Sequence, residues 1–233
     1  MRKLIIFSTI IGLFSAGFAA ERSKTVKFTG DKVGAAPKSF SSFVGSWYVT
    51  KDGESNVYAV DGRKWSQGTM SAGIADKAKA LYGERYAEFL DNLAAYKYFP
   101  LSIYQGVKNF TDGTISVRFK TVSGRIDQAA GIAFDIKPNG DYFVIRANPL
   151  ENNIVAFRLQ HGKRSAVKWI RNIPTPSNKW HTLKLIIKGN VVIGFLNGKK
   201  CITIKTNKKI EGKIGLWSKA DSYVLFDDFI YQK

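Results

Sequence analysis

The sequence predicts an all-β chain: an antiparallel two-sheet jelly-roll sandwich carrying one helical insertion. Three observations lead there. From about residue 110 onward, β-branched and aromatic runs alternate with short turn signals: Asp112-Gly113, Pro138-Asn139-Gly140, Gly162-Lys163, Gly189-Asn190 and Asn197-Gly198. The connections are too short for helical crossovers, which excludes βαβ units and makes neighbouring strands antiparallel. The length of 233 residues suits one sandwich domain, and the Phe, Tyr and Trp content can fill its core.

The chain opens with "MRKLIIFSTIIGLFSAGFAA": two cations, a short apolar core and small residues. This is the pattern of a secretory signal peptide over residues 1–19, cleaved near Ala19. The apolar core is shorter than the ~20 residues of a membrane span. No later stretch is apolar enough to span a bilayer. The expectation is an exported protein, periplasmic or extracellular, with residues 20–233 forming one domain. Cys201 is the single cysteine, so export brings no internal disulfide. In "KKCITIK" it reads as a strand residue.

After a polar lead, "SFVGSWYVTKDGESNVYAVDG" gives two β-rich runs around Asp52-Gly53. Residues 71–95 differ in kind: Ala78, Leu81, Tyr82, Tyr86, Phe89, Leu90 and Leu93 recur at helical spacing. One amphipathic helix is expected there, with its apolar stripe on a sheet. Pro100 bars helix beyond "AYKYF".

The net charge is +18, and loss of Arg2 and Lys3 with the leader gives 18 − 2 = +16. That favours an anionic surface as partner, such as acidic glycan or lipid headgroups. The densest cluster, "KTNKKIEGK", lacks interleaved aromatics, so specific nucleic-acid binding is not expected.

The question of a site centres on "GDYFVIRANPLENNIVAF". With Asn139-Gly140 as a two-residue turn, Ile136 faces Phe143 and Phe134 faces Ile145, and these share a core face with Ile132 and Ala147. The other face then carries Ala133, Asp135, Tyr142, Val144, Arg146 and Asn148, with Asp135 and Arg146 as diagonal neighbours. On the next strand Val155, Phe157 and Leu159 fall to the core, and Ala156, Arg158 and Gln160 to the Arg146 side. Two readings stand: a solvent-facing ligand floor, or an exposed face with a modest Asp135–Arg146 ion pair. Upstream, "SGRIDQAAG" puts Arg125, Asp127 and Gln128 on a loop at a sheet end.

Metal and catalytic motifs are sparse. No His or Cys set has zinc spacing, and no cofactor is expected. Asp227-Asp228 could supply some calcium oxygens, although neighbouring strand residues point to opposite faces. His161 reads as an exposed hairpin residue and His181 as structural. There is no Gly-x-Ser-x-Gly elbow, no phosphate-binding glycine loop and no clustered acid strand.

Residues 110–231 resemble the concanavalin A-like lectin/glucanase superfamily. The similarity is carried by "GRIDQAAGIAF", "GDYFVIRANPLENNIVAFRLQHGKR", "KWHTLKL", "FLNGKK" and "GKIGLWSKADSYVLFDDF". More narrowly, they resemble the exported family named for 3-keto-disaccharide hydrolases. The resemblance implies a concave sheet able to bind carbohydrate, with Tyr142, Arg146, Asn148, Glu151 and Asn152 as candidates and Asp135 beside them. Trp217, Lys219 and Asp221 either border the same cleft or close the sandwich. The resulting expectation is a carbohydrate-binding or carbohydrate-processing jelly roll. Its ligand contacts would be Tyr142, Arg146, Asn148, Asn152, Arg158, Arg125 and Asp127, and Asp135 or Glu151 would be the acid or base of an enzymatic version. The alternative is a non-catalytic envelope domain whose basic surface docks on anionic glycan or lipid headgroups.

Overall fold

A computed structural model describes residues 23–64, 73–94 and 97–233. The leader, and the ends of the 71–95 stretch, lie outside the described residues. The strands are β1 Lys24–Val26, β2 Phe40–Val44, β3 Trp47–Asp52, β4 Ser55–Asp61, β5 Leu101–Tyr104, β6 Gly113–Ser123, β7 Ala130–Ile136, β8 Tyr142–Asn148, β9 Asn153–Gln160, β10 Lys163–Arg171, β11 His181–Lys188, β12 Val191–Leu196, β13 Lys199–Lys205, β14 Lys213–Ser218 and β15 Tyr223–Gln232. The helices are α1 Ile74–Tyr82 and α2 Tyr86–Ala94.

The strands form two sheets. One has the order β13-β12-β11-β6-β15-β4-β3, with β1 also on β15, and the other has the order β10-β9-β8-β7-β14-β5-β2. All the strand pairings are antiparallel. Between the sheets lies the larger core, where Val117, Phe119, Leu183, Leu185 and Phe226 meet Ile132, Phe134, Ile145, Ala147 and Leu216. The predicted jelly-roll sandwich is therefore the observed fold.

Apart from its edge strand β10, the seven-stranded sheet is buried on both faces, which explains two departures from expectation. A second apolar cluster on its outer face joins Phe43, Leu101, Ile103, Ala133, Val144, Val155, Phe157 and Trp217 to Ala78, Phe89 and Leu93 of the helices. Phe89 packs edge-on against Phe43 of β2, with ring centroids 5.1 Å apart. The apolar stripe thus docks on a sheet as expected. The single helix, however, is two helices joined by a 3-10 turn at Gly83–Arg85, where Gly83 takes φ 55°. The positive φ at that residue, open to glycine for want of a Cβ, ends α1.

The register also differs. Phe134 pairs with Phe143 and Ile132 with Ile145, two residues away from the expected pairing. The connection is a wider loop in which Lys137 N–H donates to Asp141 O at 2.8 Å. Asp135 has φ 55° and marks a bulge opposite β14, so Ile136 joins the outer cluster rather than the sandwich core. In β9, Ile154 and Ala156 face the sandwich core, while Val155, Phe157 and Leu159 face outward, the reverse of the expected parity.

β10 is the outermost strand of its sheet, exposed along nearly its whole length, with a bulge between Ala166 and Lys168.

Candidate functional site

The outer face of the seven-stranded sheet carries one row of residues in register: Trp169, Val155, Arg146, Gly131, Trp217 and Leu101, running from β10 to β5. Gly131 sits between Arg146 and Trp217. A Cβ there would lie 2.8 Å from Arg146 Cβ and 3.0 Å from both Ile145 O and Val144 Cγ2, so glycine is what lets Arg146 lie flat on the sheet. The helices pack over the β2–β5 side of this face, whereas the Trp169 end is 44% exposed.

Arg146 is not a solvent-facing group. It is 1% exposed and is held from within its own hairpin. One guanidinium nitrogen, Nη2, donates to Glu151 Oε2 at 2.7 Å and the other, Nη1, donates to Asn153 Oδ1. Asn153 Nδ2 in turn donates to the same Glu151 oxygen at 2.8 Å. Arg146 Nε is buried without a partner. The guanidinium carbon lies 5.6 Å from the Phe157 ring centre and 6.0 Å from that of Trp169, within cation–π range. Arg164 of β10 approaches from the edge, 4.7 Å from Phe99 and 4.5 Å from Phe157.

A second polar group adjoins the first. Three loops meet at this end of the sheet: 124–129, 149–152 and 219–222. Asp221 ties two of them together by accepting the backbone N–H groups of Arg125, Ile126 and Asp127 at 2.7, 3.0 and 2.9 Å. Asp127, fully buried, accepts from Asn148 Nδ2 at 2.7 Å through Oδ1 and meets the Lys219 ammonium as an ion pair through Oδ2. Tyr142 is also buried, and its hydroxyl accepts the Trp217 indole N–H at 3.2 Å.

The two carboxylates are driven in opposite directions. Burial pushes the Asp127 pKa above its ordinary value, against the pull of the Lys219 ammonium. Partial burial acts the same way on Glu151, but the Asn153 amide and the Arg146 guanidinium outweigh it and hold that pKa below the usual value. Burial lowers the Arg146 pKa, with the Glu151 charge opposing. Burial, followed by the Arg146 charge, lowers that of Arg164. Asp221 ionises more readily than usual, because its backbone N–H donors outweigh its burial.

Of the residues singled out from sequence, Tyr142, Arg146, Asn148, Glu151 and Asp127 are brought together. Four are not. Asp135 lies toward the other end of β7, paired with Lys137 at 2.9 Å and accepting Glu211 N–H at 2.7 Å. The expected Asp135–Arg146 contact is absent because the register places Gly131, not Ala133, opposite Arg146. Arg158 pairs across to Phe143, on the sandwich side of the sheet, with its guanidinium 5.7 Å from the Phe143 ring. Asn152 is an exposed turn residue at φ 46°, and its neighbour Asn153 takes the inward position. Arg125 is exposed and joins the loop through its backbone N–H.

Asn153, Arg164 and Trp169 were not foreseen. Asn153 lies directly opposite Asn148 in the β8–β9 hairpin. The signal for the other two is the alternation of β10 across from β9, legible only once the β9 parity is known. The adjacent pair Asp227-Asp228 also breaks strand alternation: a bulge with Asp228 at φ 45° lets both carboxylates approach Arg118, at 3.9 and 3.2 Å. Among the described residues no group of three or more His, Cys, Asp or Glu is placed to hold a metal ion, and no helix is long and apolar enough to cross a membrane.

No family model matches the sequence, and no curated protein matches it. Solved structures do resemble the fold. The carbohydrate-binding module CBM66 from Bacillus subtilis superposes with a TM-score of 0.60 at 14% identity, over 84% of this chain and 96% of that one. A Bacillus licheniformis β-glucanase gives 0.54 at 11% identity, over 93% and 99%. A protein of unknown function with a galectin-like fold, also from Bacillus subtilis, gives 0.55 at 12% identity, over 84% and 89%. The chain therefore has the concanavalin A-like jelly-roll architecture shared by galectin-like modules and glucanases.

Proposed function

We propose that this protein is an exported carbohydrate-binding jelly roll whose glycan lies at the β10 edge of the outer sheet face, over Trp169. One observation carries the reading. Trp169, 44% exposed, shares a row with buried Arg146, which holds the part-exposed Glu151 carboxylate, and packs on the Phe157 ring that Arg164 also approaches. Sugar recognition needs an apolar ring face for C–H groups and fixed polar groups for hydroxyls. Trp169 supplies the first, while Glu151, Arg164 and Lys219 supply the second. The Arg146–Asn153 and Asp127–Asn148 pairs are the scaffold that fixes those groups, not ligand contacts themselves. The leader's two cations, apolar core and small residues support export, and N-terminal sequencing of the mature protein tests it, with Ala20 expected first.

A glycan array with wild type and Trp169→Ala tests the binding reading. Wild type retains neutral glycans, and the variant loses them with an unchanged melting temperature. Absence of any wild-type glycan signal at any salt concentration sinks it.

A catalytic version rests on Glu151, whose carboxylate is 35% exposed beside the Arg146 guanidinium, and it agrees with the 3-keto-disaccharide hydrolase resemblance. Here Glu151 acts as acid or base on substrate or water. Disaccharide turnover abolished in Glu151→Gln, with glycan retention intact, is its signature. The non-catalytic alternative predicts retention on anionic surfaces that falls with salt and ignores Trp169.

A further inference from the structure

We propose a second site: the cleft between α1 and the β14 end of the seven-stranded sheet binds a small oxyanionic ligand, a carboxylate or phosphate on a polar scaffold, with the Lys213 ammonium as its counter-charge. The cleft has a volume of about 720 Å³ and is walled by Tyr82 on the helix side and by Lys108, Asn109, Lys137, Glu211 and Lys213 on the sheet side. It lies at the end of β7 remote from Asp127, so it stands independently of the carbohydrate reading.

Lys213 is 6% exposed, yet no acid among the described residues pairs with it. Its Nζ lies 5.9 Å from the centroid of the Tyr82 ring. Glu211, the carboxylate of the cleft, accepts from Asn109 Nδ2 at 3.1 Å. Lys137 is already satisfied, donating to Glu211 O at 2.6 Å and pairing with Asp135 at 2.9 Å. Lys108 adds a second ammonium with no ion pair among the described residues, and burial together with its charge lowers the Lys213 pKa.

An ammonium on a largely buried side chain with no counter-ion is costly. Lys213 lines a cavity that also holds a second cation, Lys108. The two have a common remedy: an anion accepting from Lys213 and Lys108. Ammonium donors suit carboxylate or phosphate oxygens, and the volume falls in the range of small-ligand pockets. The lining amide and backbone groups suit a hydroxylated scaffold more than an apolar one.

Isothermal titration calorimetry of the full chain with glucuronate, glucose 6-phosphate and glucose tests the site and separates a carboxylate from a phosphate ligand. At least one acid is expected to bind and glucose is not. Lys213→Met should weaken that binding by about tenfold or more while the ligand-free melting temperature holds or rises, because an unpaired buried charge has gone. Lys108→Met should weaken binding with the melting temperature unchanged. Failure of both acids to bind, equal binding of glucose, or unchanged affinity in Lys213→Met overturns the proposal. If Lys213→Met does not fold, wild-type affinity in Lys108→Met overturns it.

Discussion

Replacing Arg146 by Met separates the internal role of this side chain from a ligand role. Asn153 is 2% exposed, so stranding its Oδ1 without the guanidinium costs about 1–3 kcal/mol. The Glu151 side chain is 35% exposed and rehydrates, so its lost ion pair is discounted to about 1 kcal/mol. Relief from burying the guanidinium, whose Nε has no partner, returns about 1 kcal/mol. The net is a destabilisation of about 2 kcal/mol, read as a lower urea midpoint at unchanged m-value. A pH signature accompanies it. The folded-state pKa of Glu151 lies below its ordinary value. Its stabilising contribution is therefore present above the unfolded pKa of ~4.3 and is lost as pH falls through the folded value. Without Arg146 that acid-side loss shrinks. Equal or greater stability in Arg146→Met, or an acid-side slope identical to wild type, would refute the argument that Arg146 is held by its own hairpin.

Three further outcomes follow from the packing. Gly131→Ala forces a methyl group against Arg146 Cβ and a backbone carbonyl, and should lower stability by about 1–3 kcal/mol in denaturant unfolding. Phe89→Ala empties a fully buried position between α2 and β2. About 3–5 kcal/mol is expected to be lost, with limited proteolysis cutting first in the helical insertion. Asp221→Ala frees three backbone donors of the 125–127 loop, and hydrogen exchange of those amides should accelerate while β6 and β11 stay protected. In wild type the same amides should loosen as pH falls through the depressed Asp221 pKa, since that contribution is present only while the carboxylate is charged.

How much of this was legible in the sequence depended on how many faces of a strand are buried. In β11, burial alternates residue by residue, and period-two reading is sound. In β7 every residue is buried, because an outer apolar cluster covers what would otherwise be a wet face. Alternation then carries no information about which side is the sandwich, and the β9 assignment inverted. The bulge at Asp135 and the two-residue register shift have the same origin: no local composition distinguishes Asn139-Gly140 as a tight turn from the same pair inside a wider loop. Asn148 and Arg146 were found because short hairpins bring near neighbours together. Lys219 and Asp221 were noticed, but their contacts with Asp127 span more than ninety residues and no spacing rule predicts them. The break at Gly83 was overlooked because the apolar stripe continues on both sides of it.

The edges of the two sheets recast the meaning of the charge excess. β10 ends one sheet and β13 the other. β10 carries Lys163, Arg164, Lys168 and Arg171 beside its bulge, and β13 carries Lys199, Lys200 and Lys205. An open strand edge invites another chain to add itself, and cations with a local kink repel and misalign such a strand. Part of the positive charge therefore guards against self-association, whatever else it attracts. Neutralising the β10 lysines is then expected to lower the concentration at which the folded protein remains monodisperse, with no change in its stability.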